Sequence, residues 1–468
     1  MNTPTELTDA AADAAWKRYP YAIPGADQAW FTFPAAEGDQ GTGANTYFIE
    51  CPLRGIRTGR NLALMAIFTA MRVPLARLTL RADFYVFALF DLDAGTYGTI
   101  TDFDLPQPLR VRRTHKLKVA RGVLDVSYET SEGRARWTTR RDAAGAPVPF
   151  SYALDLRGRD GSGRAMAATL DVEVAKPPAP VGGDELGGVK TCCMQLGTFS
   201  YFQTGLALRG RVRWGDFEDE VRGDAGLIDR QYAREHFGKY TDLGNTRHRH
   251  EWRVLHLDNG WDMSVWQQFD AERGDRLVPF SGVTAQGPDG AVRATTDFHV
   301  ERLSFVRDPG HVKPMKALPS GTAFLTDRFH LTVRDWGLSV TAEPCVAAPA
   351  HGMPIEYWNG PIRVIGQMGG RPVSGFGFHE RSKLWFRPHE LVFVLRETLR
   401  HLPATGHHGP SPQAIANRVW QCDVLLARGD VAGARRYLEE QVAPALDALA
   451  SGHRDAAIEV YDALLTAL

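Results

Sequence analysis

The stretch that decides the fold reads His250-Glu-Trp-Arg-Val-Leu-His-Leu-Asp-Asn-Gly-Trp-Asp-Met-Ser-Val-Trp-Gln-Gln-Phe269. Asn259-Gly260 is a strong signal for a two-residue type I′ hairpin turn, because both central positions of that turn need a positive φ. Pairing two strands around this turn predicts one shared face, formed by His250, Trp252, Val254, His256, Trp261, Met263, Val265, Gln267 and Phe269. Buried His and Gln side chains need polar partners, so this mixed aromatic and polar face is typical of an apolar ligand cavity with convergent polar groups.

A single acid lies just upstream of the hairpin. Residues Gly223 to Tyr232 read G-D-A-G-L-I-D-R-Q-Y, with Asp229 between Ile228 and Arg230. In apolar surroundings such a carboxyl group can act as a general acid. The structural alternative is that Asp229 caps a turn or pairs with Arg230 and Arg234.

Short segments with apolar residues at every second position extend from the hairpin in both directions. Their spacing of roughly 8–12 residues, without alternating long helices, predicts an antiparallel sandwich or barrel and not a parallel βαβ sheet. A Pro/Gly-rich link divides the strands into two groups. We therefore predict a mainly β protein with a lead-in at residues 1–20, a β domain at 21–175, the link at 176–188, a second β domain at 189–400 and a helical tail at 411–468.

The tail has its own pattern. Ser411-Pro412 is a good N-cap and first helical residue. The apolar residues that recur at helical spacing predict one buried stripe formed by Val431, Leu438, Val442, Leu446 and Leu449. We expect these helices to pack on the sheets, or alternatively to form the surface of a homodimer.

The composition excludes several classes of function. The chain has 468 residues, of which 44% are apolar and 23% charged, and its formal net charge is −1. These values are ordinary for a soluble globular protein and give no bulk attraction to nucleic acid or to anionic membranes. The five cysteines form no C-x-x-C pair, no apolar run approaches the ~20 residues that span a bilayer, and no signal peptide is evident. We therefore expect a reduced, cytoplasmic protein.

Four motifs carry a family resemblance: Leu227–Tyr232, Trp252 with Leu257–Gly260, Tyr357–Gly360 and Val373–Glu380. In these motifs the chain resembles the carotenoid 1,2-hydratase (hydroxyneurosporene synthase) superfamily, a lipocalin-like group that includes kievitone hydratase and decalin-forming Diels-Alderases. The resemblance covers roughly residues 21–395. It implies two tandem lipocalin-like antiparallel β-barrel or sandwich domains, with a ligand pocket between or inside them, followed by a C-terminal α-helical appendage that lies outside the resemblance.

The resemblance also implies roles for single residues. The aspartate thought to be the proton donor of the hydratases matches Asp229, and the late glutamate of the family matches Glu380. This chain has Leu227 where the family usually has Trp or Tyr, Tyr232 where it has Trp, and Asn359 where it has Glu. These departures favour a related reaction on an apolar molecule other than a carotenoid.

We therefore predict a cofactor-independent enzyme that acts on a C=C bond of a lipophilic isoprenoid or polyketide-like substrate, by hydration, isomerisation or cyclisation. Asp229 would be the acid, and His250 would polarise the substrate or move a proton. The predicted substrate-binding residues are Gln231, Tyr232, Trp252, His256, Trp261, Met263, Gln267, Trp358 and Glu380. No metal is predicted, because the pair His248 and His250 has no third ligand at a compelling spacing.

Two alternatives stay open. A pericyclase would fold a polyene into its reactive shape and would work by proximity and orientation, without needing Asp229. A non-catalytic carrier would bind a lipophilic ligand and release it unchanged.

Overall fold

The computed structural model describes residues 15–41, 43–75, 78–104, 115–181, 189–192, 195–233, 248–270, 276–277, 281–307, 324–347, 349–351, 357–382, 388–403, 410–449 and 451–468. It is mostly β, with 54% strand and 19% helix. One sheet is a curled half-barrel and another is a nearly closed barrel, and helices follow at the C-terminus. The predicted mainly β, lipocalin-like fold with a helical appendage is therefore confirmed.

The first large sheet contains strands up to Ala233. A separate small ladder pairs β1 (Tyr21–Ala22) with β2 (Thr32–Phe33), and the sheet itself consists of β3 (Ala44–Gly55), β4 (Asn61–Leu75), β5 (Leu78–Asp91), β6 (Thr96–Asp104), β7 (Leu117–Val119), β8 (Asp125–Thr130), β9 (Gly133–Arg141), β10 (Pro147–Arg159), β11 (Ala165–Val174), β12 (Ala179–Pro180), β13 (Val189–Cys192), β14 (Gln195–Thr204), β15 (Leu206–Trp214), β16 (Phe217–Gly223) and β17 (Leu227–Ala233). The antiparallel order is β6-β5-β4-β3-β16-β15-β11-β10-β9-β8-β7. The long strand β3 also pairs with β17, which pairs with β14.

The second large sheet begins at His248. Its strands and the neighbouring short ladder are β18 (His248–Leu257), β19 (Asp262–Asp270), β20 (Arg276–Leu277), β21 (Gly282–Gln286), β22 (Val292–Thr295), β23 (Phe298–Arg302), β24 (Phe305–Arg307), β25 (Phe324–Thr326), β26 (Phe329–Val333), β27 (Leu338–Pro344), β28 (Tyr357–Met368) and β29 (Arg371–Ser382). The antiparallel order is β22-β21-β19-β18-β29-β28-β27-β26-β23, with β20 beside β19, while β24 pairs with β25 separately.

The predicted link at residues 176–188 does not coincide with the change of sheet. The strands β13 to β17, which follow the link, all belong to the first sheet, and the chain enters the second sheet between Ala233 and His248. Backbone pairing of β17 with β3 explains this result, because it joins the stretch that contains Asp229 to the N-terminal strands. The division into two folding domains stays a prediction.

The turn of the deciding hairpin differs from the predicted type I′ turn. Gly260 has a φ of 84°, but Asn259 does not have a positive φ. The amide of Gly260 donates to Leu257 O at 2.9 Å, and the amide of Leu257 donates to Trp261 O at 2.9 Å. The loop therefore has three residues, with a Gly in the left-handed region closing a bulge, which is the second common way to join two strands.

The extra loop residue shifts the register of the hairpin by one. Trp252 lies opposite Trp266 and Leu255 lies opposite Met263. A shift of one residue moves one strand's entire set of side chains to the other face of the sheet. The predicted single face is therefore wrong: His250, Trp252, Val254 and His256 lie on one face, whereas Met263 and Val265 lie on the other with Leu255.

The two large sheets pack against each other through an apolar layer. Phe48, Met65 and Phe90 of the first sheet belong to the same buried cluster as Trp252 and Phe378 of the second. Alternation along β3 places Tyr47, Ile49 and Cys51 in the separate core of the first sheet. We call the region between the sheets the inter-sheet layer.

The C-terminal helices are α1 (Pro388–Arg400), α2 (Pro412–Ala427), α3 (Val431–Tyr437), α4 (Ala443–Asp447) and α5 (Ser451–Ala467), with a π-helical turn at Leu438–Val442 between α3 and α4. The second β domain, predicted to end at residue 400, does not consist of strands up to that point. Its last residues form α1, which buries Leu391, Leu395 and Leu399 at helical spacing. Ser411 is the N-cap of α2, and its hydroxyl accepts from Ala414 N at 3.2 Å, as predicted.

The predicted apolar stripe of the tail is largely confirmed. Leu438, Val442, Leu446 and Leu449 are buried in one cluster together with residues of α1 and with Phe324 of β25. Val431 does not belong to this stripe, because its side chain is 44% exposed at the beginning of α3. The helices therefore have their own core, which is attached to the β strands at Phe324.

Candidate active site

Asp229 lies completely buried in the inter-sheet layer. Its cross-strand neighbours are Phe202 on β14 and Phe48 on β3, and both rings belong to the apolar cluster between the sheets. Ser200 Oγ donates to Asp229 Oδ1 at 2.7 Å, and the amide of Gln231 donates to Asp229 Oδ2. The carboxyl group is thus held by two side-chain donors within an otherwise aromatic region.

Arg230 does not neutralise Asp229. Successive strand residues point to opposite faces, so the Arg230 side chain enters the core of the first sheet. There it donates to Asn45 Oδ1 at 2.8 Å and to the Tyr47 hydroxyl at 2.9 Å, and its guanidinium carbon lies 3.8 Å from the centroid of the Tyr47 ring. Asp229 is therefore not paired with Arg230, and the other predicted partner, Arg234, lies outside the described residues.

Glu50 is a second acid in the layer. It is completely buried on the same face of β3 as Phe48, and it lies opposite Leu227 of β17. Neither of its carboxyl oxygens has a hydrogen-bond partner among the described residues. Burial, followed by the negative charges of Glu380 and Asp229, raises the pKa of Glu50 well above its ordinary value.

The second sheet contributes a hydrogen-bonded group of polar side chains to the same layer. His250 Nε2 lies 2.9 Å from Glu380 Oε1, and the Tyr357 hydroxyl donates to Glu380 Oε2 at 2.7 Å. The amide of Asn359 donates to the Tyr357 hydroxyl at 3.3 Å. The His250 ring stacks on Trp266 with centroids 4.6 Å apart. Burial and the charge of Glu380 raise the pKa of Tyr357 well above its ordinary value, so this phenol stays protonated and donates.

Trp252 connects the two sheets at this position. Its ring meets the Phe48 ring with centroids 5.3 Å apart and an interplanar angle of 63°. The indole N–H donates to Ser264 Oγ at 2.8 Å. The polar edge of the indole is therefore satisfied within the second sheet, while its ring takes part in the apolar contact with the first sheet.

A cavity of about 680 Å³ lies at another part of the boundary between the sheets. It is lined by Pro52, Lys176, Gly205, Asp224, Ala225, His256, Leu257, Asp258, Gly260, Asp262, Pro288, Arg363, Val364, Ile365, Ser374, Gly375 and Phe376. His256 is four residues beyond Trp252 on β18, which corresponds to about 13 Å along a strand. The cavity therefore lies apart from the carboxyl groups of the layer.

The structure brings one part of the predicted site together. Asp229 and Gln231 face the layer from the first sheet, and His250, Trp252 and Glu380 face it from the second. The functional roles of these residues stay predictions.

The other predicted residues point elsewhere. Tyr232 lies in the core of the first sheet, where its hydroxyl donates to Trp30 O. Met263 is in the core of the second sheet, with Trp261 packed against it. Gln267 accepts from Arg253 Nη1 at 2.6 Å, and Trp358 packs against Leu325 and Ala350. The register shift explains the positions of Met263 and Gln267. These residues lie on the face of β19 that points away from the inter-sheet layer.

Sequence reasoning missed Glu50, Ser200 and Tyr357. Glu50 carried a usable signal, since it is a lone acid in the apolar run N-T-Y-F-I-E-C of a predicted strand. Tyr357 is adjacent to Trp358, the residue that the sequence analysis predicts to bind substrate. Strand alternation places the two side chains on opposite faces of the sheet. Ser200 had no signal in the sequence, because only its pairing with β17 brings it to Asp229.

Metal-capable side chains also meet outside the layer. Among the described residues, ligand atoms of Asp83, Asp104 and His115 lie within 4.8 Å of one another. Asp83 already accepts from Arg81 Nε at 2.6 Å and from the amide of Leu117. We therefore interpret this group as ion pairing of Asp83 with Arg81 and His115 in the first sheet.

The fold and the enclosed polar groups define a lipocalin-like protein with two packed β sheets. The profile of the AttH-like family matches residues 106–381, which is more than half of the chain. The chain therefore belongs to the AttH-like family, and the resemblance predicted from the four motifs is confirmed at the level of the superfamily.

Two solved structures with TM-scores of at least 0.50 show the same fold at low sequence identity. A candidate AttH protein from Nitrosomonas europaea superposes with a TM-score of 0.53 at 15% identity, over 78% of this chain and 99% of that one. Kievitone hydratase from Nectria haematococca gives a TM-score of 0.50 at 11% identity, over 74% and 91%. CghA in complex with Sch210972 gives a TM-score of 0.41 at 12% identity, over 73% of this chain and 89% of that one. No curated protein matches the sequence. None of the helices in the described part of the chain is long and apolar enough to cross a membrane.

Proposed function

We propose that this protein is an enzyme that protonates a C=C bond of a lipophilic isoprenoid or polyketide-like molecule, leading to hydration, isomerisation or cyclisation. Asp229 and Glu50 form the acid, and the reaction needs no cofactor. The fold shared with kievitone hydratase supports a reaction of this type. The main support is the buried pair of carboxyl groups, of which Glu50 has no hydrogen-bond partner among the described residues.

The electrostatics of the layer favour a proton on Glu50. Burial in an apolar region disfavours the charged form of a carboxyl group, and neighbouring negative charges add to this effect. Burial and the charges of Glu380 and Asp229 therefore raise the pKa of Glu50, and its carboxyl oxygens have no hydrogen-bond donor among the described residues. Asp229, in contrast, accepts hydrogen bonds from Ser200 and Gln231. In this proposal Glu50 holds the proton, which can reach a bound alkene directly or through Asp229.

The chemistry balances without an added oxidant or reductant. The carboxyl proton bonds to one alkene carbon, and the adjacent carbon becomes a cation, which the faces of Phe48 and Trp252 stabilise. In hydration, a water oxygen bonds to this carbon and one water proton returns to the carboxylate. In isomerisation, the cation instead loses a neighbouring proton to the carboxylate. In cyclisation, a second double bond attacks the cation, and the new cation formed in this step then loses a proton to the carboxylate. The roles of His250 and Glu380 are to orient a polar group of the substrate.

The test follows solvent deuterium into carbon. Molecules extracted from the purified protein, together with a panel of linear isoprenoid alkenes and polyenes, are incubated with the enzyme in D₂O and analysed by mass spectrometry. Protonation at carbon leaves deuterium that does not exchange back in H₂O. Asp229→Asn and Glu50→Gln should each lower the rate of incorporation by about 10²–10⁴-fold. Glu37→Gln is the matched control, because Glu37 is an equally buried acid that lies in the core of the first sheet.

The same experiment separates the two alternatives. A pericyclase gives a product of unchanged mass without carbon-bound deuterium, and its rate survives Asp229→Asn. A carrier returns every molecule unchanged and without label. Either outcome contradicts acid catalysis by the carboxyl pair.

We further propose a reduced, cytoplasmic location and a homodimer formed through the helical tail. The tail presents the 53% exposed side chain of Trp420 and the 44% exposed side chain of Val431. Light scattering on the full-length protein measures its molar mass and so tests for the dimer. Trp420→Ser should have the molar mass of a monomer, because the substitution removes the largest exposed apolar side chain of the proposed interface.

A further inference from the structure

Three arginines form a row on the exposed face of the first sheet. Arg209 of β15 is the cross-strand neighbour of Arg222 on β16, and Arg222 is the cross-strand neighbour of Arg54 on β3. Cross-strand neighbours project from the same face of a sheet, and all three residues are exposed. Because neighbouring strands lie about 5 Å apart, the row is about 10 Å wide at the backbone. We call these three residues the arginine row.

The arginine row is unfavourable for the protein by itself. Like charges directly opposite each other on adjacent strands repel and destabilise a sheet. In the described part of the chain, none of the three arginines makes an ion pair or a side-chain hydrogen bond. By contrast, Arg211, two residues along β15 from Arg209, lies 3.1 Å from Glu218 and 3.8 Å from Glu220. The same strand therefore carries a compensated arginine beside one that lacks compensation.

The carboxylates nearest to the row have other partners. Glu220 lies on the same face of β16, but its cross-strand neighbour is Arg211, which pairs with it. Asp171 of β11 lies opposite Arg209, and it pairs with Arg140 at 3.8 Å on its other side. Neither carboxylate stands between the arginines of the row, so neither removes their mutual repulsion.

The row has defined ends. On one side it ends at Asp171, and on the other at the uncharged Asn61 of β4, which lies opposite Arg54. Along the chain, Arg222 is followed two residues later by Asp224, which lines the cavity at the boundary between the sheets. The row is therefore a short, bounded strip of positive charge on a chain whose formal net charge is −1.

We propose that the arginine row binds a triphosphate group, either as free polyphosphate or as part of a nucleotide. A guanidinium group stays charged in proteins, and its parallel N–H donors match the oxygens of a phosphate group. A linear triphosphate offers three anionic groups in line, one for each arginine, and its charge offsets the repulsion within the row. This site does not depend on the chemistry proposed for Asp229 and Glu50, because it is formed by other residues on an exposed surface.

The size of the row favours a small polyanion over a polymer or a membrane. Basic segments that bind anionic membranes use about four to eight Lys or Arg residues, and single-stranded nucleic acid is usually held by aromatic stacking beside basic groups. The row has three arginines, and a longer anionic chain would meet the carboxylate of Asp171. None of the residues two positions away along the chain is aromatic: Pro52, Ile56, Ala207, Arg211, Glu220 and Asp224.

Isothermal titration calorimetry on the full-length protein, in low salt and without divalent cations, measures the binding. The probes are inorganic tripolyphosphate, pyrophosphate and phosphate, with ATP as the nucleotide. The affinity should rise with the number of phosphate groups and fall as salt is added, because salt screens exposed charges. Tripolyphosphate that binds without ATP identifies free polyphosphate as the ligand, and similar affinities for both include nucleotides. ATP that binds without tripolyphosphate would mean that the base carries the binding, and the proposal would be wrong.

Arg222→Glu is the decisive variant, since Arg222 is the middle residue of the row. It should weaken tripolyphosphate at least about 10-fold, the usual effect of losing a hydrogen bond to a charged group. Its midpoint of urea unfolding should be unchanged or higher, because the new carboxylate lies between two arginines. Arg371→Glu is the matched control, with the same change of net charge at an exposed arginine of β29 in the second sheet. It should leave the affinity unchanged, and equal weakening in both variants would reduce the effect to net charge and overturn the proposal.

Asp171→Asn tests the site in the opposite direction. The Asp171 side chain is 63% exposed at the end of the row, and its charge repels an anion bound to Arg209. Its removal should tighten tripolyphosphate about 2- to 5-fold. Unchanged or weaker binding in this variant, or no saturable binding to the wild type, overturns the proposal. Tighter binding of phosphatidylserine vesicles or of a single-stranded oligonucleotide than of tripolyphosphate, lost in Arg222→Glu, would assign the row to a membrane or to nucleic acid instead.

Discussion

The rings of Phe48 and Trp252 meet edge to face across the boundary between the two sheets, with centroids 5.3 Å apart. Phe48 is the cross-strand neighbour of Asp229, and Trp252 is that of Glu380. The contact therefore places two packed aromatic rings beside carboxyl groups from both sheets. Exclusion of water from such a region strengthens electrostatic interactions and makes each unpaired charge costly.

Glu50→Gln is expected to reduce the pH dependence of stability. The pKa of Glu50 is raised well above the ordinary 4.5, so the folded protein holds this proton more tightly than the unfolded chain. The free energy of unfolding of the wild type should therefore be highest below pH 4.5 with respect to this group, and should fall as the pH rises above that value. Urea unfolding at pH 5 and pH 8 measures the difference. Equal pH dependence in the variant and the wild type would contradict the burial of an unpaired acid.

Glu37→Gln provides a second pH test with a defined window. Burial raises the pKa of Glu37 from 4.5 to about 7, although the Tyr152 and Tyr19 hydroxyls donate to it at 2.6 and 2.8 Å. The free energy of unfolding of the wild type should fall by up to roughly 3 kcal/mol between pH 4.5 and about 7 because of this group. The free energy of unfolding of Glu37→Gln should not show this decrease. The exposed Glu459 serves as the control, because Glu459→Gln should leave the curve unchanged.

Glu251→Gln should destabilise the second sheet strongly. Arg253 is completely buried and donates to Glu251, and Arg302 Nη2 lies 3.5 Å from Glu251 Oε1. Removing the carboxylate leaves buried cations without compensation, which typically costs about 3–5 kcal/mol. The comparison is Glu343→Gln, which breaks the exposed pair with Arg328 and should cost about 0–1 kcal/mol. Similar midpoints of urea unfolding for the two variants would contradict the prediction.

Leu446→Ala should show that the helices are attached to the β strands. Leu446 is completely buried in the cluster that includes Phe324, and its truncation should cost about 2–5 kcal/mol. Val431→Ala, at the 44% exposed position, should change stability by less than about 0.5 kcal/mol. Calorimetry on the full chain measures both. A loss in Leu446→Ala that is confined to a separate low-temperature transition would mean that the tail unfolds independently.

Strand alternation was sufficient for part of the candidate site. It places Asp229 and Gln231 on one face of β17 and Arg230 on the other, as the hydrogen bonds show. It was not sufficient for the hairpin, because the same Asn-Gly pair is compatible with loops of two or three residues. Because the loop has three residues, Met263 and Gln267 face the interior of the second sheet, whereas Trp252 faces the inter-sheet layer.

By itself, the sequence determined the mainly β architecture, the family and the helical tail, because the period of apolar residues and the turn residues are local properties of the chain. Only the tertiary structure decided which faces meet. The pairing of β17 with β3 brings Asp229 to the same face as Glu50, although the two residues are 179 positions apart in the chain. No local pattern carries that information, since it depends on which strands exchange backbone hydrogen bonds and on which apolar faces are then left to cover each other.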